Sequence, residues 1–423
     1  MGSALALNGG TIRSADNDDA ELNLYSVGAT TGVKVDGVAP TVTSVTVPGN
    51  ATYTAGQQLD FTVNFSENIT LSGTDSTLGL TIGGSSVTAS YSSNTATGIT
   101  YRYTVQNNDN DTDGIAVGAI TLNTTTITDA ATNNANIALN SVGATASVLV
   151  DAVAPTVTSV SVPPNTTYIA GQHLDFTVNF TENVTVNTSG GTPHIPVTLD
   201  TGGIVNASYI TGTGTSAIVF RYTIATGNLD SNGIALGSAI IANGGTIKDA
   251  ATNDATTTLN SVGSTTAILV DAVAPTVTSV TVPGNATYVA GQQLDFTVSF
   301  SENVTITGTD STLGLTIGGS SVSAAQLSNT ATSITYRYTV QNNDNDTDGI
   351  TVGNLTLNSS TINDAATNSA NIALNSVGST TAVLVDALAP TVTSVTVPGN
   401  ATYTTGQQLD FTVNFSENIA VTG

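Results

Sequence analysis

The chain has 423 residues, 30 of them acidic against six basic, for a formal charge of −24; it is 39% hydrophobic and contains no cysteine or tryptophan. Disulfides and thiol chemistry are therefore excluded, and nucleic acid is not an expected partner, because phosphates demand Lys and Arg. No stretch reaches about 18 consecutive apolar residues, so no membrane insertion is expected, and residues 1–20 lack the basic start and apolar run of a secretory leader.

Residues 1–35 match the end of a repeating unit, since NGGTIRSADNDDAELNLYSVG aligns with NGGTIKDAATNDATTTLNSVG further on. The unit itself opens at Asp36 with DGVAPTVTSVTVPGNATY, and close copies open at Asp151, Asp271 and Asp386, at spacings of 115, 120 and 115 residues. The expected organisation is a terminal part (1–35), three whole units (36–150, 151–270 and 271–385) and an opening part (386–423). Units one and three are nearly identical. Unit two carries a longer middle, NTSGGTPHIPVTLDTGG.

Within the first unit the period is two. Strands are expected near 41–47, at 59–65, near 78–82 and 85–91, at 99–105, and near 115–128 and 135–150, separated by Gly, Asn and Pro turn signals. Leu59, Phe61, Val63 and Phe65 alternate with Asp60, Thr62, Asn64 and Ser66, as on a half-buried strand. About seven short strands per unit fit an immunoglobulin-like sandwich. The expected fold is all-β: tandem antiparallel Ig-like β-sandwiches in a linear array.

Three marks recur in fixed order: an Asp-x-x-Ala-Pro start, a Phe-Ser-Glu-Asn strand end, and an Asp-Ala-Ala-x-Asn turn. With these marks the whole chain resembles the bacterial Ig-like domains repeated in giant surface adhesins and S-layer proteins. The resemblance implies an extracellular location at a bacterial cell surface, a structural role, and neighbouring Ig-like units of the same protein as partners.

The chemistry concentrates in NNDNDTDGI, residues 107–115, repeated at 342–350. Asp109, Asp111 and Asp113 fall at alternate positions before Gly114, as in the first half of an EF-hand loop, where Gly permits the sharp turn. Ile120 stands where the closing Glu would be and no helices flank the loop, so this is not an EF-hand. Placed on an Ig-like strand scheme, the loop falls at the bottom of one unit. The linker Asp, the Glu of FSEN and the Asp of DAATN fall at the top of the next; in unit one these are Asp36, Glu67 and Asp129, with Asn133 nearby. Ca2+ is the expected counter-ion, because it takes six to eight oxygens in flexible geometry. The expected ligands are Asp109, Asp111 and Asp113 with Asp151, Glu182 and Asp249 at the first junction. At the second they are Asp230 and Asn232 with Asp271, Glu302 and Asp364. At the third they are Asp344, Asp346 and Asp348 with Asp386 and Glu417. The competing reading is an ordinary polar turn, since Asp, Asn and Gly favour turns.

Asp60–Arg102, Asp175–Arg221 and Asp295–Arg337 read as cross-strand ion pairs. His173 and His194 are too few for a metal cluster or a triad, and Lys34 and Lys248 lack counterparts that would suggest a repeated isopeptide staple. The frequent Asn-x-Ser/Thr triplets read as turn composition. Near-identical copies suit a stalk rather than an enzyme, which needs one asymmetric site, so no catalytic or organic cofactor residues are expected. Two alternatives remain: unit two (Gly190, Gly191, His194) binding glycan or protein, and head-to-tail self-association through the incomplete terminal units.

Overall fold

The computed structural model describes residues 5–423; Met1–Ala4, the start of the first expected part, lie outside the described residues. Every regular element among the described residues is a β-strand. The chain divides into two compact units. One runs to Ala154 and takes in Ala251–Asn253; the other comprises Pro155–Ala250 and Asp254–Gly423.

In the first unit, repeat one forms β1 (Val42–Thr46), β2 (Ala51–Tyr53), β3 (Gln58–Phe65), β4 (Thr70–Ser72), β5 (Thr77–Ile82), β6 (Ser85–Asn94), β7 (Gly98–Thr104), β8 (Asn110–Asp111), β9 (Ala116–Thr121), β10 (Thr126–Thr128) and β11 (Val148–Asp151). The large sheet has the order β1-β3-β7-β6-β5-β9, antiparallel throughout. Smaller sheets β2-β11-β8 and β4-β10 complete the repeat. The alternation seen in sequence decides which face is buried: Leu59, Phe61, Val63 and Phe65 of β3 join Leu78, Ile99 and Tyr101 in one core. Each such side chain contributes roughly 1.5–3 kcal/mol by leaving water.

Two expected strands are corrected. Residues 115–128 split into β9 and β10, because a turn closes between them, with the Thr125 N–H on the Leu122 carbonyl and Asn123 at φ +55°. The 135–150 strand shrinks to β11. Its earlier part makes only isolated bridges to the first strand, Thr41–Asn136 and Val45–Val142, interrupted where Ser141 turns to φ +48°. One pair also departs from the antiparallel pattern: β2 runs parallel to β11. These strands lie nearly a whole repeat apart, so no hairpin forces them to run in opposite directions.

In the second unit, repeat three reproduces the same large-sheet order from Val277–Thr281 to Thr351–Thr356. Repeat two differs where its sequence is longer. His173–Asn187 is one continuous strand, and the hairpin His194–Leu199 with Gly203–Thr211 turns through Asp200, Thr201 and Gly202. Repeats two and three bury separate cores. The last segment pairs Val392–Thr396 with Thr412–Phe415 but leaves its apolar side chains open: Phe411 is 61% exposed, against 0% for its counterpart Phe296.

Candidate metal centre

Two complete carboxylate triads form within the compact units. In the first unit Asp36, Glu67 and Asp129 bring ligand oxygens within 4.8 Å of one another; in the second, Asp271, Glu302 and Asp364 do the same. Glu182 and Asp249 are likewise within that distance of each other. They are the counterparts of Glu302 and Asp364 in repeat two, whose opening Asp is Asp151.

Each member is delivered by a different part of the fold. Asp271 ends the strand Leu269–Asp271, Glu302 follows the strand Gln293–Phe300, and Asp364 follows Thr361–Asn363. Asp364 is buried and heads a tight turn: its Oδ1 accepts the Asn368 backbone N–H at 2.8 Å and its Oδ2 the Asn368 side-chain amide at 2.8 Å. The same amide donates to the Asp271 carbonyl at 2.8 Å, so the turn also grips the linker. The first unit repeats this with Asp129, Asn133 and the Asp36 carbonyl. The turn is strained. Thr132, Thr252 and Thr367 sit at φ +72°, +78° and +76°, a left-handed region where a β-branched residue is an outlier. The same conformation recurs in all three copies, so the surrounding structure fixes it at the cost of local strain.

The electrostatics point the same way. Burial pushes the Glu302 carboxyl above its usual range, and the charges of Asp364 and Asp271 push it further. At Asp129 burial also acts upward, but hydrogen bonds from Asn133 and from the Ala131 and Thr132 N–H groups win and hold it low. Three carboxylates with no His or Cys make a hard, all-oxygen donor set, suited to Ca2+ or Mg2+ rather than to zinc or copper.

The acids of NNDNDTDGI do other work. Asp109 Oδ2 accepts the Tyr103 hydroxyl and the Gln106 N–H, both at 2.8 Å. Burial, with this hydrogen bond and the Asp109 charge, pushes the Tyr103 phenol up to about 12. Asp111 is buried and accepts the Gly83 and Gly114 N–H groups at 2.7 Å each. Gly83 has to be glycine: a Cβ there would lie 1.9 Å from the Asn110 carbonyl oxygen. Asp344 and Asp346 make the same bonds in repeat three, while Asp113 and Asp348 are exposed. In repeat two Asn228 takes the place of Asp109, accepting from Tyr222 and Ala225. There Asp230 caps Gly233, and Asn232 donates to Asp200, which sequence reasoning had passed over. None of these loop acids belongs to a carboxylate group within 4.8 Å among the described residues. Asp386 and Glu417 are both exposed, and the segment 386–423 contains no counterpart of Asp364.

The loop backbone, however, reaches the site. In the first unit Asn110 pairs with Asp151, and Asn108 and Asp109 exchange hydrogen bonds with Ala152. In the second unit Leu229 pairs with Asp271, and Gly227 and Asn228 exchange hydrogen bonds with Ala272, both at 2.8 Å. The loop of repeat two thus fixes the backbone of the residue whose carboxylate joins Glu302 and Asp364 of repeat three. Asp60–Arg102 is a two-pronged cross-strand pair at 2.6 and 2.7 Å, matched by Asp175–Arg221 and Asp295–Arg337.

No family model matches the chain, and no curated protein matches it. Among solved structures, the chain is similar to one described as giving structural insight into host cell surface retention of a 1.5-MDa bacterial ice-binding adhesin. That match has 13% identity, covers 81% of this chain and 97% of the other, and has a TM-score of 0.31. The full extracellular region of plexin A4 is similar at 9% identity over 77% of this chain and 33% of the other, with a TM-score of 0.19. At these scores both are distant likenesses.

Proposed function

We propose that this chain is a non-enzymatic extender segment of a large bacterial cell-surface protein of adhesin type. In this reading Ca2+ at the Asp36–Glu67–Asp129 and Asp271–Glu302–Asp364 triads locks repeats one and three to the chain segment that enters each. The observation that carries the reading is the double engagement of Asp271: its backbone is paired to the loop of repeat two, while its carboxylate stands with Glu302 and Asp364 of repeat three. A divalent ion there would tie the entering strand, the end of the strand Gln293–Phe300 and the strained turn at Thr367. The loop acids serve this arrangement indirectly, by shaping the backbone that holds Asp271 and its counterparts. Removal of the ion leaves three like charges at one point, so the metal-free protein is destabilised there without losing its paired backbone. Calorimetric titration of the full chain with CaCl2 tests the reading. Heat saturating near 10⁻⁴–10⁻³ M, the range of extracellular modules, is expected; absence of any calcium heat and an identical melt in chelator would refute it.

A further inference from the structure

An open, shallow groove of about 420 Å³ lies on the sheet over the paired strands β6 and β7 of repeat one. Thr88, Ser90, Tyr91 and Ser92 line its β6 side; Arg102, Tyr103, Thr104 and Gln106 line its β7 side. Ser90 pairs directly with Arg102, and a bulge follows Tyr91, so that Ser92 stands outside the ladder. The Arg102 guanidinium is locked two-pronged onto Asp60, which makes the groove electrically neutral in a chain of charge −24. The Thr88, Ser90, Ser92 and Thr104 hydroxyls are exposed and make no hydrogen bond to the described residues.

A second observation points to the same place. Repeats one and three are identical over 73–87 against 308–322, and again over 101–115 against 336–350. Between those stretches, Thr88, Ser90, Tyr91 and Ser92 become Ser323, Ala325, Gln326 and Leu327, and Gly98 becomes Ser333. Four of these five differences fall on lining residues of β6, and the lining residues from 102 to 106 are unchanged. In repeat three Gln326 accepts the Ser311 hydroxyl at 2.6 Å and Leu327 is 48% exposed, so three hydroxyls are lost, those of Ser90, Tyr91 and Ser92, and an apolar side chain sits on the rim.

We propose that the repeat-one groove is a saccharide subsite that takes a neutral hexose unit. The chemistry selects this ligand class. A cation finds no unpaired carboxylate in the groove, and an anion would approach a strongly acidic chain. A row of hydroxyls that both donate and accept, beside a guanidinium and an amide, matches the hydroxyls of a neutral sugar. The groove is shallow, so the affinity is weak, with Kd near about 1 mM. Repeat three is the same scaffold with the site removed.

Saturation-transfer NMR on the full chain tests this, with maltose, cellobiose, lactose and methyl mannoside as probes. At least one is expected to receive saturation from the wild type. In the chain carrying Ser90→Ala, Tyr91→Gln and Ser92→Leu its affinity falls at least tenfold. Adding Ala325→Ser, Gln326→Tyr and Leu327→Ser to that chain restores binding in repeat three, which shows that these side chains make the site, and an unchanged melt of the exchanged chain shows that the loss is not a folding defect. Binding is unchanged in chelator, so the outcome is independent of the metal sites. No saturation of any probe, equal binding by wild type and the exchanged chain, or failure of the reciprocal exchange to restore binding would overturn the proposal.

Discussion

Replacing Glu302 by Gln should stabilise the metal-free protein and lose that advantage when calcium is present. In the metal-free protein Glu302 faces two like charges within 4.8 Å, where each pair repels by about 0.9 kcal/mol in bulk water and about 3.5 kcal/mol at the effective dielectric near a protein surface. Its raised carboxyl has a definite sign. A group whose folded pKa lies above its unfolded value binds protons more tightly when folded, so its contribution favours folding at low pH and is lost as pH rises. A permanently neutral Gln removes the repulsion, and at the solvent-screened value of one pair the variant should gain about 1 kcal/mol in chelator at pH 7. With calcium that advantage disappears. For a Kd of about 10⁻⁴–10⁻³ M, 10 mM ion stabilises by about 1.4–2.7 kcal/mol per site. Losing one charged ligand should weaken binding about tenfold and remove roughly 1 kcal/mol of that. Near 4 °C per kcal/mol, scanning calorimetry should show the repeat-three transition about 4 °C higher than wild type in EDTA and level with wild type in calcium, because the lost calcium stabilisation offsets the lost repulsion. A variant that melts lower than wild type in both buffers, by the same amount, would refute the charge-cluster argument.

Asp111→Ala should destabilise repeat one by about 1–3 kcal/mol, since it strips two glycine N–H groups of their acceptor, while leaving the calcium stoichiometry of the chain unchanged; urea melts and calorimetry read the two effects separately. A double-mutant cycle on Asp60 and Arg102, whose side chains are 43% and 39% exposed, should yield a coupling of only about 0.2–1 kcal/mol. Hydrogen bonds from Ser359 and Ser360 hold the Asp310 carboxyl down to about 2. Its stabilising effect is therefore full above the unfolded value of 3.8 and lost as pH falls through about 2. Between pH 4 and pH 2 wild type should lose more melting temperature than Asp310→Asn; parallel curves would contradict it.

The sequence by itself determined the repeats, the all-β character and which residues of Leu59–Phe65 face inward, because an alternating pattern leaves one way to bury a strand. Alternation put Asp60 and Arg102 on outward positions, and the Ig-like strand scheme made their strands neighbours, so their pairing was also expected. The sequence concentrated attention on Asp109, Asp111 and Asp113 because they are adjacent in the chain. Tertiary structure decided what those acids do. Donors supplied by Tyr103, Gly83 and Gly114 reach Asp109 and Asp111 first, and a carboxylate accepting two such bonds serves as a brace for its own loop. The metal-competent groups are instead built from Asp36, Glu67 and Asp129, and from Asp271, Glu302 and Asp364, which lie far apart in sequence. A linker, a strand end and a turn converge only after the sheets close, and no local spacing records that meeting. The parallel pairing of β2 with β11 escaped the sequence for the same reason: its partners are set by where the chain leaves the sandwich, whereas periodicity reports only which way each side chain points.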